Sequence, residues 1–574
     1  MPRYAKFIAI IFVLSVAVYV NSLGGSFISD DLRSIVKNPK INDILLSDGL
    51  TVISNKLLYK IAKLNPAPYH LFSIFLHAVN SVLVFCLLLY FFSVWPSFWG
   101  ALVFSVHPIH TEAVSWISAN PYLLFTLFTL ASFLLYLGAT SKYKFKIGSY
   151  ISSLLLLIIS LITSWYAFLY PGMIILYDFV YKRWKKNWRL WLPFIISAVA
   201  YLIIQRYAIS EAIAIRSQMR IGSAHIANPL IRVAFCLFGN AKLLIWPLKL
   251  AFYRDWTIIS SESLISVLGF LVLVLCLLPY WFKKAKPAFF ALSIFILFLS
   301  PSYISTFTGS LFAERYLYLP SVSFCILIAY IFQRYAHVKK SKNIVTMLLI
   351  IMIGGFSVRT VLRNNDWKNP MRFGWATVEA SPLCPAGYLN LGNAYFAIKR
   401  YKLAKDLYNM AIKIDPRYTP AYNDFAAAYI NLGEYKQAIA ICKKALEIKK
   451  DDSAHGYLYG NLGRAYMGTS EYEHAITAFK KAIEVRPDYE SHLDVLLYNK
   501  LGEAYVKKGD HEQAIAAFEK VIKLKPDDAE AHGKLAETYY YAKQYDLAIR
   551  HYDRALELGH GVDVEFSMLL EPYR

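Results

Sequence analysis

The chain has 574 residues, 57% of them hydrophobic and 16% aromatic, with a formal net charge of +22 and a mean hydropathy of +0.39. Runs of about 20 apolar residues recur through the first 360 positions, which excludes an ordinary soluble domain there and marks membrane helices. The charge does not point to nucleic acid: residues 1–362 hold 32 Lys and Arg against 10 Asp and Glu, whereas residues 363–574 hold 29 of each. The excess cations sit between apolar runs, as the positive-inside rule requires of a membrane protein.

The opening "MPRYAKFIAIIFVLSVAVYV" has the charged and apolar regions of a signal sequence, read as an uncleaved first helix because more spans follow. Apolar segments lie near 5–23, 69–93, 98–118, 121–140, 147–166, 167–181, 190–208, 229–248, 263–282, 287–306, 316–334 and 343–362. The basic stretches at 141–146, 181–189, 281–286 and 333–343 belong to the cytoplasm. Tracing the chain through these anchors gives a cytoplasmic N-terminus and 11 crossings, with 229–248 as a re-entrant or interfacial segment. The same tracing puts "FISDDLRSIVKN" (27–38), the 118–121 turn, the 209–228 loop, "LFAERYLYLP" (311–320) and everything after residue 362 on the outer side. The six cysteines show neither zinc nor redox spacing.

Residues 363–384 form a connector and half-repeat. From Pro385 the chain repeats every 34 residues, with small insertions. A small or apolar pair recurs at 391–392, 425–426, 462–463, 501–502 and 535–536, followed by Tyr395, Tyr429, Tyr466, Tyr505 and Tyr539, then by Ala404, Ala438, Ala475, Ala514 and Ala548. This is the tetratricopeptide pattern: five units at 385–418, 419–452, 456–489, 495–528 and 529–562, then a tail at 563–574. Such stacks offer a concave groove for a peptide or protein, and a plain spacer is the competing reading. The expected fold is all-α, a polytopic helical membrane domain over 1–362 followed by an α-solenoid.

Both halves together resemble the transmembrane-and-TPR-containing O-mannosyltransferases of the GT-C glycosyltransferase superfamily, or a bacterial relative. The resemblance rests on "FISDDLRSIVKN", "VFSVHPIHTEAVSWIS" (103–118), "AERYLYLPSVSF" (313–324) and "RNNDW" (363–367). It implies a multi-span enzyme that moves mannose or a similar hexose from a polyprenyl-phosphate donor to a protein hydroxyl on the non-cytoplasmic side. Two departures stand out: Asn120, Pro121 and Tyr122 occupy the place of a common acid, and "TSWYAFLYP" lacks a Lys-Glu pair before Pro171.

Transfer to a hydroxyl needs a base, and a carboxylate partly desolvated at a membrane edge makes a stronger one. Asp30 is assigned that role and Asp31 the orientation of the acceptor or a cation; the two are interchangeable at this level, and a solvated turn or N-cap competes. Arg33, Arg206 and Arg315 are candidates for the donor phosphate, Arg315 in bidentate fashion, with snorkelling the alternative. His107, His110 and Glu112, together with Asn38, Glu314, Tyr316 and Tyr318, are expected to line the substrate cavity. "HPIHTE" lacks His-Glu-x-x-His spacing, so no metal is expected there, and no cofactor beyond the donor lipid is implied. The absence of a Walker or dinucleotide motif agrees with an outward site fed by a lipid phosphate. A bacterial inner membrane is the first expectation for location and the endoplasmic reticulum the second. The competing function is a non-catalytic, membrane-anchored repeat scaffold, favoured by the two departures.

Overall fold

The computed structural model describes residues 4–36, 38, 41, 49–141, 145–206, 229–248, 250, 267, 277–308, 313–448, 455–485, 491–559, 561 and 564–574, and no strand occurs among them. The chain divides into two compact units, Met1–Asn390 and Leu391–Arg574.

The first unit is a bundle of apolar helices: α1 (Ala5–Ala17), α2 (Leu50–Ala62), α3 (Ala67–Leu88), α4 (Val94–Val106), α5 (Thr111–Ser115), α6 (Asn120–Ala139), α7 (Ile147–Thr163), α8 (Tyr170–Val180), α9 (Trp184–Ile204), α10 (Pro229–Ile245), α11 (Lys286–Thr308), α12 (Ser321–Tyr335), α13 (Lys339–Asn364) and α14 (Pro370–Ala380). Among the described residues five helical stretches are long and apolar enough to cross a membrane: 5–24, 67–88, 117–139, 184–204 and 339–367. The polarity of the bundle is that of a membrane protein. On α7 the aliphatic residues Ile151, Leu155, Ile158 and Ile162 are exposed, while Ser153 and Ser160 are buried. Those serines bond to α6, Ser132 Oγ to the Ser153 carbonyl at 2.7 Å and Thr129 to Ser160 at 3.1 Å. Small polar residues between helices and aliphatic side chains outward is how helices associate when the solvent is lipid. At Gly100 an added Cβ would stand 2.8 Å from the Cys325 carbonyl, so only glycine permits this approach of α4 to α12.

The apolar stretch expected at 98–118 is not one helix. α4 ends at Val106 and a turn of 3₁₀-helix, Pro108–His110, redirects the chain into α5. Pro108 lacks an N–H to continue the ladder, and the His107 ring accepts the Ile109 amide at 3.1 Å as a cap. The 209–228 loop and the segment expected at 263–282 lie largely outside the described residues.

The second unit stacks helical pairs. The helix Pro385–Ala397 starts in the first unit and runs into it, paired in sequence with Tyr401–Ile414; then come Thr419–Asn431 with Tyr435–Ile448, His455–Gly468 with Tyr472–Val485, Ser491–Lys508 with His511–Leu524, and Ala529–Tyr541 with Tyr545–Glu557. The repeat pattern has a steric cause. Each pair's second helix buries the recurrent alanine (Ala404, Ala438, Ala475, Ala514, Ala548) and a residue four positions on (Tyr408, Cys442, Phe479, Phe518, Tyr552). A Cβ at Gly463 or Gly502 would lie 2.5 or 2.6 Å from the Phe479 or Phe518 ring, which explains the small residue on the first helix.

Candidate functional site

Four stretches of the first unit that are far apart in sequence converge. They are the loop 27–31, the segment 112–120, the turn 313–318 and the end of α13 with the residues after it. Ile28, Trp116, Ala119, Trp367 and Phe373 form one buried cluster between them. Polar contacts fix the assembly. Lys368 contributes a carbonyl that accepts the Ser26 amide at 2.8 Å. The Asn364 amide donates to the Val18 carbonyl (2.9 Å) and to Asn21 Oδ1 (2.8 Å), and its Oδ1 accepts the Ser115 hydroxyl at 3.0 Å. "RNNDW" is therefore the clasp that closes the bundle on its first loop.

Within the acidic pair the two residues differ. Asp31 is buried: its Oδ1 accepts the Ser118 amide (2.8 Å) and hydroxyl (2.5 Å), and its Oδ2 accepts the Ile28 amide (3.1 Å). Burial pushes the carboxyl up to about 7, against these bonds, which lower it; the charge of Asp30 raises it further. The desolvation expected of the base falls on Asp31 instead: Asp30 is exposed on the same turn, and Ser29, just before it, has φ +51°. Ser34, beyond the pair, lies 3.4 Å from Ser118 and accepts Asn38 Nδ2 at its carbonyl (3.0 Å). Arg33 lies in the short helical segment Leu32–Val36, and its side chain is outside the described residues.

Six residues before Ser118, Glu112 is buried and forms an ion pair with the Arg315 guanidinium, while its Oε2 accepts the Arg315 amide at 3.1 Å. The guanidinium carbon is 5.1 Å from the Trp116 ring centre, 5.1 Å from Tyr316 and 5.9 Å from Tyr122. Among the described residues, Glu112 and the faces of Trp116, Tyr316 and Tyr122 surround the guanidinium, which is paired and stacked there. A narrow pocket opens beside it, lined by Tyr122, Phe125, Thr126, Tyr166, Phe298, Tyr316 and Tyr318. Next door, buried Glu314 is 3.9 Å from the Arg363 guanidinium, which also bonds Asp366 at 2.8 Å.

His107 and His110 are both buried inside the bundle. The Nε2 of His107 meets the Leu244 carbonyl at 2.9 Å, and its Nδ1 accepts the Ile109 amide, which fixes a neutral ring protonated at Nε2. His110 Nε2 lies 2.8 Å from the Ser321 hydroxyl, whose own proton goes to the Tyr318 carbonyl, so the histidine is the donor there. The Tyr318 hydroxyl meets His77 Nδ1 at 2.8 Å, and His77 Nε2 faces the Ser105 carbonyl at 3.1 Å. Arg206 is exposed beyond the end of α9, and residues 207–228 that follow are outside the described set. Asn120, in place of the expected acid, accepts the Ser73 hydroxyl at 2.7 Å and starts α6.

Thus Asp30, Asp31, Glu112, Glu314, Arg315 and Tyr316 share one neighbourhood, linked through the segment 112–118 and the 313–318 turn. Sequence reasoning did not find Ser118, Asn364 or Asp366. Asn364 and Asp366 carried one signal, the run of adjacent polar residues where an apolar helix ends; Ser118, between Ile117 and Ala119, carried none.

Comparison with known proteins agrees with both halves. Tetratricopeptide repeat family models match residues 385–418 and 419–488, and a TPR repeat model matches 502–543. A Caenorhabditis elegans protein O-mannosyl-transferase is 26% identical over 446 residues, 71% of this chain and 63% of that protein. The Homo sapiens protein O-mannosyl-transferase TMTC3 is 26% identical over 499 residues, 75% of this chain and 54% of that protein. This chain therefore spans little more than half of these relatives' own length. Among solved structures, the MamA protein is 26% identical with a TM-score of 0.27, covering 30% of this chain and 91% of MamA. Over roughly the 71–75% of its length that these relatives align, the chain is similar in sequence to the transmembrane-and-TPR protein O-mannosyl-transferases, and its C-terminal part is built of tetratricopeptide repeats.

Proposed function

We propose that the chain is a membrane glycosyltransferase. It transfers mannose or a similar hexose from a polyprenyl-phosphate donor to a protein hydroxyl on the non-cytoplasmic face, and the repeats collect the acceptor. The observation that carries this reading is the division of labour in the acidic pair. Asp31 is consumed by three hydrogen bonds that fix the loop, and this leaves the neighbouring Asp30 carboxylate exposed on a held turn.

In this reading Asp30 takes the proton of the acceptor hydroxyl while its oxygen forms a bond to the anomeric carbon. The bond from that carbon to the lipid phosphate breaks, and the phosphate leaves with the electron pair. Direct displacement gives inversion at the anomeric carbon. Arg315 stabilises the developing phosphate charge, with Glu112 holding the guanidinium in place. Arg206 and Arg33 are further phosphate contacts of the proposal.

The pairing of Arg315 with Glu112 favours a second reading, in which the arginine is structural and the chain is a non-catalytic repeat scaffold on a glycosyltransferase frame. The purified full chain is incubated with radiolabelled mannosyl-phosphoryl-polyprenol and a Ser/Thr-rich acceptor protein. The transferase reading expects product from wild type, its loss in Asp30→Asn, and retention of fold in that variant. Equal product from wild type, Asp30→Asn and Asp31→Asn removes the pair from the mechanism, and no product from any of them supports the scaffold.

A further inference from the structure

At the end of α6 opposite Asn120, several apolar helices share one end. α6 ends at Ala139, α7 begins at Ile147, α8 ends at Val180, α9 begins at Trp184 and α11 begins at Lys286. Side chains bind these ends together. Tyr150 of α7 donates its hydroxyl to the Leu190 carbonyl of α9 at 2.9 Å, the Phe179 and Phe282 rings lie 6.0 Å apart, and Lys286 Nζ is 5.8 Å from the Tyr181 ring centre. The level at which apolar helices stop is the headgroup level of a bilayer.

That level is basic. Lys182, Lys185, Lys186 and Arg189 are exposed on one segment, and Lys283 and Lys284 on the other. Trp184 and Trp188 are 44% and 46% exposed among them, with Lys185 Nζ 5.6 Å from the first ring and the Arg189 guanidinium 5.2 Å from the second. Indoles in that position sit at the membrane interface.

The one acid among described residues 139–190 and 277–290, Asp178, is buried and lies 3.9 Å from Arg183, leaving the exposed Lys182, Lys185, Lys186, Arg189, Lys283 and Lys284 in excess. It accepts from the Tyr136 hydroxyl (2.5 Å), Trp191 Nε1 (2.9 Å) and Asn187 Nδ2 (3.0 Å), and its carbonyl accepts the Arg183 amide at 2.6 Å. Lys182, at φ +57°, is the left-handed residue that ends α8, in the same helix-end turn that Lys399 and Lys543 make. The Asp178 bonds tie the end of α8 to the start of α9, so the cations between them are presented from a fixed backbone.

We propose that this surface is a binding site for the phosphodiester headgroup of an anionic phospholipid, seated between residues 182–189 and 283–286. Positive side chains supply the attraction, the indoles fix the depth, and Asp178 is the positioning residue beneath. The proposal requires only that the helices span a bilayer and stands whether or not the chain is a transferase.

The full chain is reconstituted in phosphatidylcholine nanodiscs carrying a trace of spin-labelled phosphatidylglycerol or, separately, spin-labelled phosphatidylcholine. Wild type is expected to immobilise the anionic probe in excess over the zwitterionic one. A variant with Lys185→Gln, Lys186→Gln and Arg189→Gln loses most of that excess. A variant with Lys339→Gln, Lys340→Gln and Lys342→Gln, which removes the same charge from another basic segment, keeps it. Circular dichroism and monodispersity establish that both variants fold. No excess in wild type, or equal loss in both variants, overturns the proposal; the second result assigns the effect to net charge.

Discussion

Asp31→Asn tests whether the acidic loop is built as described. The carboxyl goes from an ordinary 3.8 to about 7 on folding because burial penalises its charged form more than its three hydrogen bonds support it. A rise of about 3 units is worth about 4 kcal/mol at roughly 1.4 kcal/mol per unit. Below about pH 4 both folded and unfolded chains carry the proton, and the group costs nothing. Between about pH 4 and pH 7 the unfolded chain has released the proton and the folded chain retains it, so stability falls as pH rises; above about pH 7 the loss is complete and flat. Asparagine does not titrate. It pays a pH-independent cost instead, because its amide faces the Ile28 N–H where Oδ2 accepted, about 1–3 kcal/mol. The opening free energy of the loop in the variant, relative to wild type, should therefore rise by about 4 kcal/mol from pH 4 to pH 8. Hydrogen exchange of peptides spanning 27–36 and 116–119, corrected for intrinsic rates and recorded in one detergent, reads this difference. A difference that stays constant across the range would falsify the burial of a titrating Asp31.

Three further outcomes follow from contacts already described. Glu112→Gln removes the Glu112 charge from the enclosed Arg315 guanidinium and should destabilise the bundle by about 3–5 kcal/mol, read by thermal unfolding; a loss under 1 kcal/mol would show the Glu112 charge contributing little there. Asn364→Ala removes the bonds to Val18, Asn21 and Ser115 and should raise protease sensitivity of the 18–31 loop while leaving the repeats intact; unchanged cleavage there contradicts the clasp. Gly463→Ala drives a methyl to 2.5 Å from the Phe479 ring and should cost about 1–3 kcal/mol, lowering the unfolding midpoint of the repeats; an unchanged midpoint means the ring moves aside freely.

The parts of this structure legible in the sequence are those governed by local periodicity. The repeat positions were readable because Ala475 and Phe479, or Ala514 and Phe518, recur at a spacing set by one helix packing on its neighbour. Apolar helices were readable by length and Pro108 as a disturbance within 98–118, but not the course the chain takes beyond it, since a proline alone permits either a kink or a stop. In the site, Asp30, Asp31, Glu112 and Arg315 were conspicuous because charges are rare in so apolar a unit. Which of the aspartates is buried was not readable, because that depends on Ser118, 87 residues away. Asn364 was invisible as a hub for the same reason: its partners lie 249 to 346 residues away.

That last separation sets a timetable for biosynthesis. The loop bearing Asp30 leaves the ribosome early, yet its shape depends on Asn364 and Lys368, which emerge some 340 residues later. At about 5–20 residues per second the interval is roughly 20–70 seconds. Throughout it the acidic turn waits without its scaffold, so a nascent chain halted before α13 enters the membrane holds every candidate acid and no assembled centre.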